Sequence, residues 1–171
     1  MSSKLYLQPV KVTDAKILAQ WFNDHENVKY MSPYVRCLKH TPKSVALDIK
    51  NTDPDLERQF MVYIKNKKEP IGYAGIEEID FDDKRGEIYF LIGDRSEQGK
   101  GYGQEITRLL IDYAFNKLKL HSLFADVTVL NKPSIKLMEK CGFRRIGVRR
   151  DYNYIDGKFV DEVFFDLVKK E

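Results

Sequence analysis

The order of apolar and polar residues along the chain switches between a period of two and a period of about 3.6, and each switch marks an element. Residues 5–12 alternate and predict a strand. Thr13 or Asp14 then caps a helix whose apolar face is Ile17, Leu18, Trp21 and Phe22. Residues 23–40, polar and aromatic, follow neither period, and Pro33 and Pro42 act as breakers. A short helix is predicted over 43–51, with a loop over 51–57. Residues 60–64 are nearly all apolar, the mark of a buried strand; 66–70 turn the chain and 71–79 form a second strand. An acidic hairpin over 80–85 returns it into a third strand, 86–92.

Beyond a glycine-rich stretch, Ile106, Leu109, Leu110 and Tyr113 recur at helical spacing within 104–118. Residues 123–130 predict a strand. Pro133 suits the first turn of a helix over 134–141, and Gly142 suits its left-handed cap. The arms 143–150 and 158–168 predict a long hairpin turning at Asp156-Gly157. In the second arm Asp161, Val163, Phe165 and Leu167 take one face, Glu162 and Asp166 the other. Antiparallel neighbours come first and one strand–helix–strand crossover follows. The fold class is therefore α/β (α+β): one domain over 1–171, with helices flanking a mixed, mostly antiparallel sheet.

At 171 residues the chain can bury a single core, and 43% hydrophobic with 32% charged residues is ordinary for a globular protein. No run approaches the roughly 20 apolar residues of a membrane span, and the start does not read as a signal peptide. Cys37 and Cys141 are too few for a disulfide framework and are not a metal-spacing pair, so a cytoplasmic protein without a metal is expected. The net charge of +3, spread along the chain, argues against a nucleic-acid partner.

Gln98-Gly99-Lys100-Gly101-Tyr102-Gly103 lies between a strand and a helix, where free backbone N–H groups and the helix dipole hold phosphates. Two common loops fail on spacing. A P-loop needs Gly-Lys-Ser/Thr four residues after its first glycine, whereas five residues separate Gly93 from Gly99 and Gly101 follows Lys100. A dinucleotide fingerprint needs G-x-G-x-x-G early in a βαβ unit, but this run is G-x-G-x-G after several antiparallel strands. The pattern that fits is Gln-x-x-Gly-x-Gly.

In that pattern the chain resembles the GNAT superfamily of acyl-CoA-dependent N-acetyltransferases. Further motifs follow in order: Ile71-Gly72 with Gly75; Arg85-Gly86-Glu87-Ile88 before Phe90–Ile92; Asn131-Lys132-Pro133-Ser134; and Glu139-Lys140-Cys141-Gly142-Phe143. The branch it is most similar to holds ribosomal-protein N-terminal, spermidine and amino-sugar acetyltransferases, which share the tail pattern seen here over 154–158. The resemblance implies a central strand pair that splays apart and acetyl-CoA as co-substrate. It implies that Gln98, Gly99, Lys100, Gly101, Tyr102 and Gly103 bind the pyrophosphate. Phe90, Leu91 and Ile92 would pair with the pantetheine arm, an N–H near Leu91 would polarise the thioester carbonyl, and Asn131 and Ser134 would contact the coenzyme.

A primary amine with a pKa near 10 is roughly 99.9% protonated at pH 7, so attack needs a base. Glu87, in a stretch resembling A-E-I-G-Y, is the first candidate, and Glu77 or Glu78 the rivals, of which alternation should aim only one at the cleft. Many relatives protonate the leaving thiolate with a tyrosine four residues before the Gly-Phe pair. Met138 stands there, which leaves Ser134, or else Tyr89, Tyr152 or Tyr154. Lys132, Lys136 and Lys140 share a helical face, either solvated or set against a phosphate. Trp21, His25, Tyr30 and Met31 are the candidate acceptor wall, although Trp21 on its apolar helical face reads first as core and a lone histidine such as His25 reads first as a surface residue. Glu77, Glu78, Asp80, Asp82, Asp83 and Glu87 predict an acidic rim suited to a polycation. The acceptor is thus a primary amine of a polyamine or amino sugar, or a ribosomal-protein N-terminus. A non-catalytic acyl-CoA-binding module is the other class, and a homodimer is the expected assembly.

Overall fold

In the computed structural model, which describes residues 3–170, seven strands join in one sheet. They are β1 (Leu5–Pro9), β2 (Arg58–Ile64), β3 (Pro70–Asp80), β4 (Arg85–Ile92), β5 (Ser122–Thr128), β6 (Arg144–Ile155) and β7 (Lys158–Val168), in the order β1-β2-β3-β4-β5-β7-β6. Every pair is antiparallel except β4–β5. The two arms at the end of the chain meet across a two-residue turn with Ile155 opposite Lys158, and Asp156 and Gly157 both have positive φ.

Helices α1 (Ala15–Phe22) and α4 (Pro42–Asn51) cover one side of the sheet, where Leu18, Trp21 and Val45 pack with Met61, Tyr73 and Leu91. On the other side α5 (Tyr102–Asp112) and α6 (Lys132–Lys140) pack Ile106, Leu110 and Met138 against Ile76, Ile88, Leu123 and Phe165. Alternation along each strand divides the residues between these two sides.

The irregular stretch 23–40 contains two short helices, α2 (His25–Val28) and α3 (Pro33–Arg36). Asp24 caps the first by accepting from the Glu26 amide, and Pro33 opens the second. Asn23 pins the stretch at its far end: its amide donates to the His40 carbonyl at 2.6 Å, and its own carbonyl accepts from the His40 amide at 3.0 Å. The first strand ends at Pro9 rather than at residue 12, because residues 12–14 form a 3-10 turn leading into α1. Both cysteines are free. On the outer strand β6, Ile146, Val148, Tyr152 and Tyr154 are exposed.

Candidate active site

Strands β4 and β5 pair over only three residues, Arg85–Glu87 with Ser122–Phe124, and then part. The edge of Phe90, Leu91 and Ile92 that faces β5 therefore has no strand partner. The gap opens into a cavity of about 1010 Å³, lined from both sides of the sheet. Met138 and Ser134 of α6 and the residue before it, Asn131, line it on one side, and Glu87, Tyr89 and Leu91 on the other, so it passes through the sheet.

At the outer end of β4 the glycine loop begins under several restraints. Gln98 Nε2 donates to the Ile92 carbonyl at 2.8 Å and to Asn27 Oδ1 at 3.0 Å, and Asn27 Nδ2 donates to the Gly93 carbonyl at 3.1 Å. Arg95 binds Asp24 through two nitrogens, one at 2.8 Å. The loop is thereby tied to the α1–α2 corner. Gly101 caps α5 at φ +85°, a conformation that favours glycine, and a Cβ there would meet nothing within 4 Å. Gly99 and Gly101 take positive φ, and the amides of Tyr102 and Gly103, the first two of α5, have no acceptor in a preceding helical turn. Together with the α5 dipole they form an anion-binding end. Lys100 Nζ lies 3.0 Å from the buried Glu97 carboxylate, which Lys67 also holds at 2.6 Å.

Glu77 and Glu87 are opposite one another on β3 and β4, on the side that carries Tyr73 and Leu91. Ala125, Val127, Val163 and Phe165 belong to the opposite core, which leaves Asp126 of β5 and Glu162 of β7 on the same side as the two glutamates. Four neighbouring strands thus each place a carboxylate in one row, and all four line the cavity. Burial, then Asp126, then Glu77 and Glu78 push Glu87 up to about 8. Burial, then Glu57 and Glu78 push Glu77 up to about 7. Burial, then Glu162 raise Asp126 to about 6, against a lowering by Arg149.

The alternation that was to aim only one of Glu77 and Glu78 at the cleft is broken. The register shifts between Glu77 and Asp80, Glu78 takes φ +49°, and both glutamates line the cavity. The acidic rim is also redistributed: Asp80 and Asp83 bind Arg85 at 3.2 and 3.4 Å, and neither they nor Asp82 line the cavity. Asp126, Glu162 and Glu57 take their place. The polar face of the second hairpin arm signalled Glu162; nothing local signalled the other two.

Asn131 caps α6 by accepting from the Ser134 amide at 3.3 Å. Ser134 lines the cavity one turn before Met138, on the same helical face, and its hydroxyl has no partner among the described residues. Met138 is buried and offers only a thioether. Thr128, 2% exposed and also lining the cavity, has an Oγ1 without a partner among the described residues. Tyr30 and Met31 line the cavity, whereas Trp21 and His25 do not. Trp21 is core: its ring lies over Gly93, where a Cβ would be 2.0 Å away. His25 is exposed, 4.0 Å from Asp156. Lys132, Lys136 and Lys140 are solvent-exposed on α6.

Comparison with known proteins accounts for this geometry. The family model for the acetyltransferase (GNAT) domain matches residues 4–144. The chain is 34% identical to an uncharacterized N-acetyltransferase, p20, of Bacillus licheniformis, over 99% of this chain and 96% of that protein. It is 33% identical to a putative ribosomal N-acetyltransferase of Bacillus subtilis over 58% of this chain and 54% of the relative. The crystal structure of spermidine N-acetyltransferase from Vibrio cholerae in complex with CoA and spermine superposes with a TM-score of 0.87, at 25% identity, covering 98% of this chain and 96% of that one. A parted β4–β5 pair, a glycine loop opening α5 and a match over most of the chain lead to one conclusion: the protein belongs to the GNAT acetyltransferase family and is an acetyl-CoA-dependent N-acetyltransferase.

Proposed function

We propose that the protein acetylates a primary amine of a polyamine by direct attack on acetyl-CoA in a ternary complex. The observation that carries the reading is the row Glu77, Glu87, Asp126 and Glu162 across four strands, in a cavity whose lining includes a single lysine, Lys29. Glu77, Glu87 and Asp126, which burial first and neighbouring carboxylates second keep protonated toward neutrality, lower their energy when a multiply charged cation joins them. The relative crystallised with CoA and spermine supports the same choice.

Gln98 to Gly103 hold the pyrophosphate in this reading, and the free edge of Phe90, Leu91 and Ile92 takes the pantetheine arm. The bound acetyl-CoA supplies a thioester carbon for attack, whose oxyanion an N–H near Leu91 stabilises. Asn131 orients the arm. Glu87 takes the ammonium proton, with Glu77 as its alternate, and Ser134 donates a hydrogen bond to the departing sulfur in place of the absent tyrosine. Tyr30 and Met31 form the acceptor wall.

A ribosomal N-terminal peptide is the second reading, favoured by the likeness to the putative ribosomal enzyme. Free-thiol release from acetyl-CoA is measured with spermidine, an amino-sugar nucleotide and ribosomal N-terminal peptides. The polyamine reading expects spermidine to give the highest kcat/KM, by tenfold or more. Preference for a peptide or an amino sugar overturns it.

A further inference from the structure

Tyr73 and Tyr89 stand on adjacent strands, on the side of the sheet that carries the carboxylate row, and both phenols are buried. Their oxygens are 3.0 Å apart, and Tyr89 Oη donates to Glu57 Oε1 at 2.6 Å. A phenol has one proton. That of Tyr89 is committed to Glu57, so in its bond with Tyr73 it accepts and Tyr73 donates. The proton of Tyr73 is then committed as well, and its oxygen has only lone-pair capacity to offer the cavity that it lines. Burial raises both phenols above their usual range, so each keeps its proton.

The absence of a side chain at Gly75 makes room for this chain of hydroxyls. A Cβ there would stand 2.2 Å from Tyr89 Oη and 2.6 Å from the Arg58 carbonyl. Phe22 packs edge-on against Tyr73 with ring centroids 5.6 Å apart, which holds the ring from the other side.

We infer that Tyr73 Oη is an acceptor-only anchor for an N–H of the attacking nitrogen, its polarity fixed through Tyr89 by Glu57; the inference rests on the amine-acetyltransferase reading above. A hydroxyl that rotates freely accepts or donates. One locked by a carboxylate two bonds away selects a donor, and a primary amine has N–H to spare while its lone pair turns to the thioester. Tyr73 touches the substrate in this scheme; Tyr89 and Glu57 are positioning residues. The ligand class is a nitrogen donor, the end of an alkylammonium chain.

Kinetics with spermidine and acetyl-CoA varied separately test it, on Tyr73→Phe, Tyr89→Phe, the double variant and Glu57→Gln, with thermal melts to check folding. Tyr73→Phe is expected to raise the amine KM about tenfold to a hundredfold, the range for a hydrogen bond to a charged group, and Tyr89→Phe, which frees the Tyr73 hydroxyl to turn but leaves its oxygen able to accept, raises it by less. The acetyl-CoA KM stays within about twofold, and the double variant is no worse than Tyr73→Phe alone, since both act through one bond. Glu57→Gln, whose amide can either accept from Tyr89 or donate to it, no longer fixes the direction of the chain and raises the amine KM by less than Tyr73→Phe does. An unchanged amine KM in Tyr73→Phe, or losses that add in the double variant, overturns the anchor alone. Wild-type protein that acetylates no amine overturns it together with the functional reading.

Discussion

Replacing Glu87 by Gln removes one carboxylate oxygen, and with it the proton acceptor, at almost constant volume. The size of the effect follows from its elevated pKa. An ammonium near pKa 10 costs about 4 kcal/mol to deprotonate at pH 7, three units at about 1.4 kcal/mol each. A base at about 8 divides that cost. Ionising Glu87 takes one unit, about 1.4 kcal/mol, and moving the proton from nitrogen to carboxylate takes two, about 2.7 kcal/mol. An ordinary carboxylate near 4.5 would face an uphill transfer of about 7.5 kcal/mol instead. Burial beside Asp126 and Glu77 therefore matches the base to its amine, the condition under which general-base catalysis reaches roughly 10²- to 10⁴-fold. Glu87→Gln is expected to lower kcat/KM for spermidine by that factor and to leave acetyl-CoA affinity intact by calorimetry. In the proposed mechanism the working form is ionised Glu87, so wild-type kcat/KM is expected to climb with pH below about 8, roughly 50-fold from pH 6 to pH 8, and then to level. Its kcat profile breaks at a lower pH, because the bound cation favours the carboxylate. An activity within threefold of wild type in Glu87→Gln, or an inflection near pH 8 that survives the change, refutes the assignment. A loss found instead in Glu77→Gln, with an inflection near 7, transfers the role to Glu77.

Two further expectations concern the ligand-free protein. Asp126, Glu77 and Glu87 all have folded-state pKa values above their unfolded ones, so their contribution to stability is full below about pH 4 and is lost as pH rises through about 6, 7 and 8 in turn. The melting temperature should fall between pH 5.5 and pH 8.5 and spermine should restore most of the loss; a higher Tm at pH 8.5 without ligand contradicts the row. Thr128→Val replaces an unpartnered buried hydroxyl with a methyl of similar shape, and should raise stability by about 1 kcal/mol in chemical denaturation. A clear decrease would mean that Oγ1 has a partner.

The glycine turn between a strand and a helix was legible because it is local. Gln98, Gly101 and Gly103 lie within six residues, which marks a turn into a helix, although α5 opens at Tyr102, two residues before the predicted start, with Gly101 as its cap. Asn131 caps a helix three residues from Ser134 for the same reason. The acceptor side was less legible. Alternation along 71–79 could not announce the bulge at Glu78, because the Ile79 amide is drawn out of the β4 ladder by the Leu56 carbonyl, a residue far back in the chain. Trp21 fits an apolar helical face whether it faces core or cleft, and packing against Gly93 decides for the core.

The sequence by itself determined the periods of the elements, the turn at Asp156-Gly157, the glycine turn into a helix and the departure at Met138, since each depends on residues a few positions apart. Tertiary structure decided which carboxylates meet. Sheet order brings β7 beside β5, so that Glu162 and Asp126 join Glu77 and Glu87, and the parting of β4 from β5 opens the space they face. Their proton affinities, and the polarity of the Tyr73–Tyr89–Glu57 chain, come from burial and from charges carried by distant segments. Electrostatics acts through space, and the distances exist only once the sheet has formed.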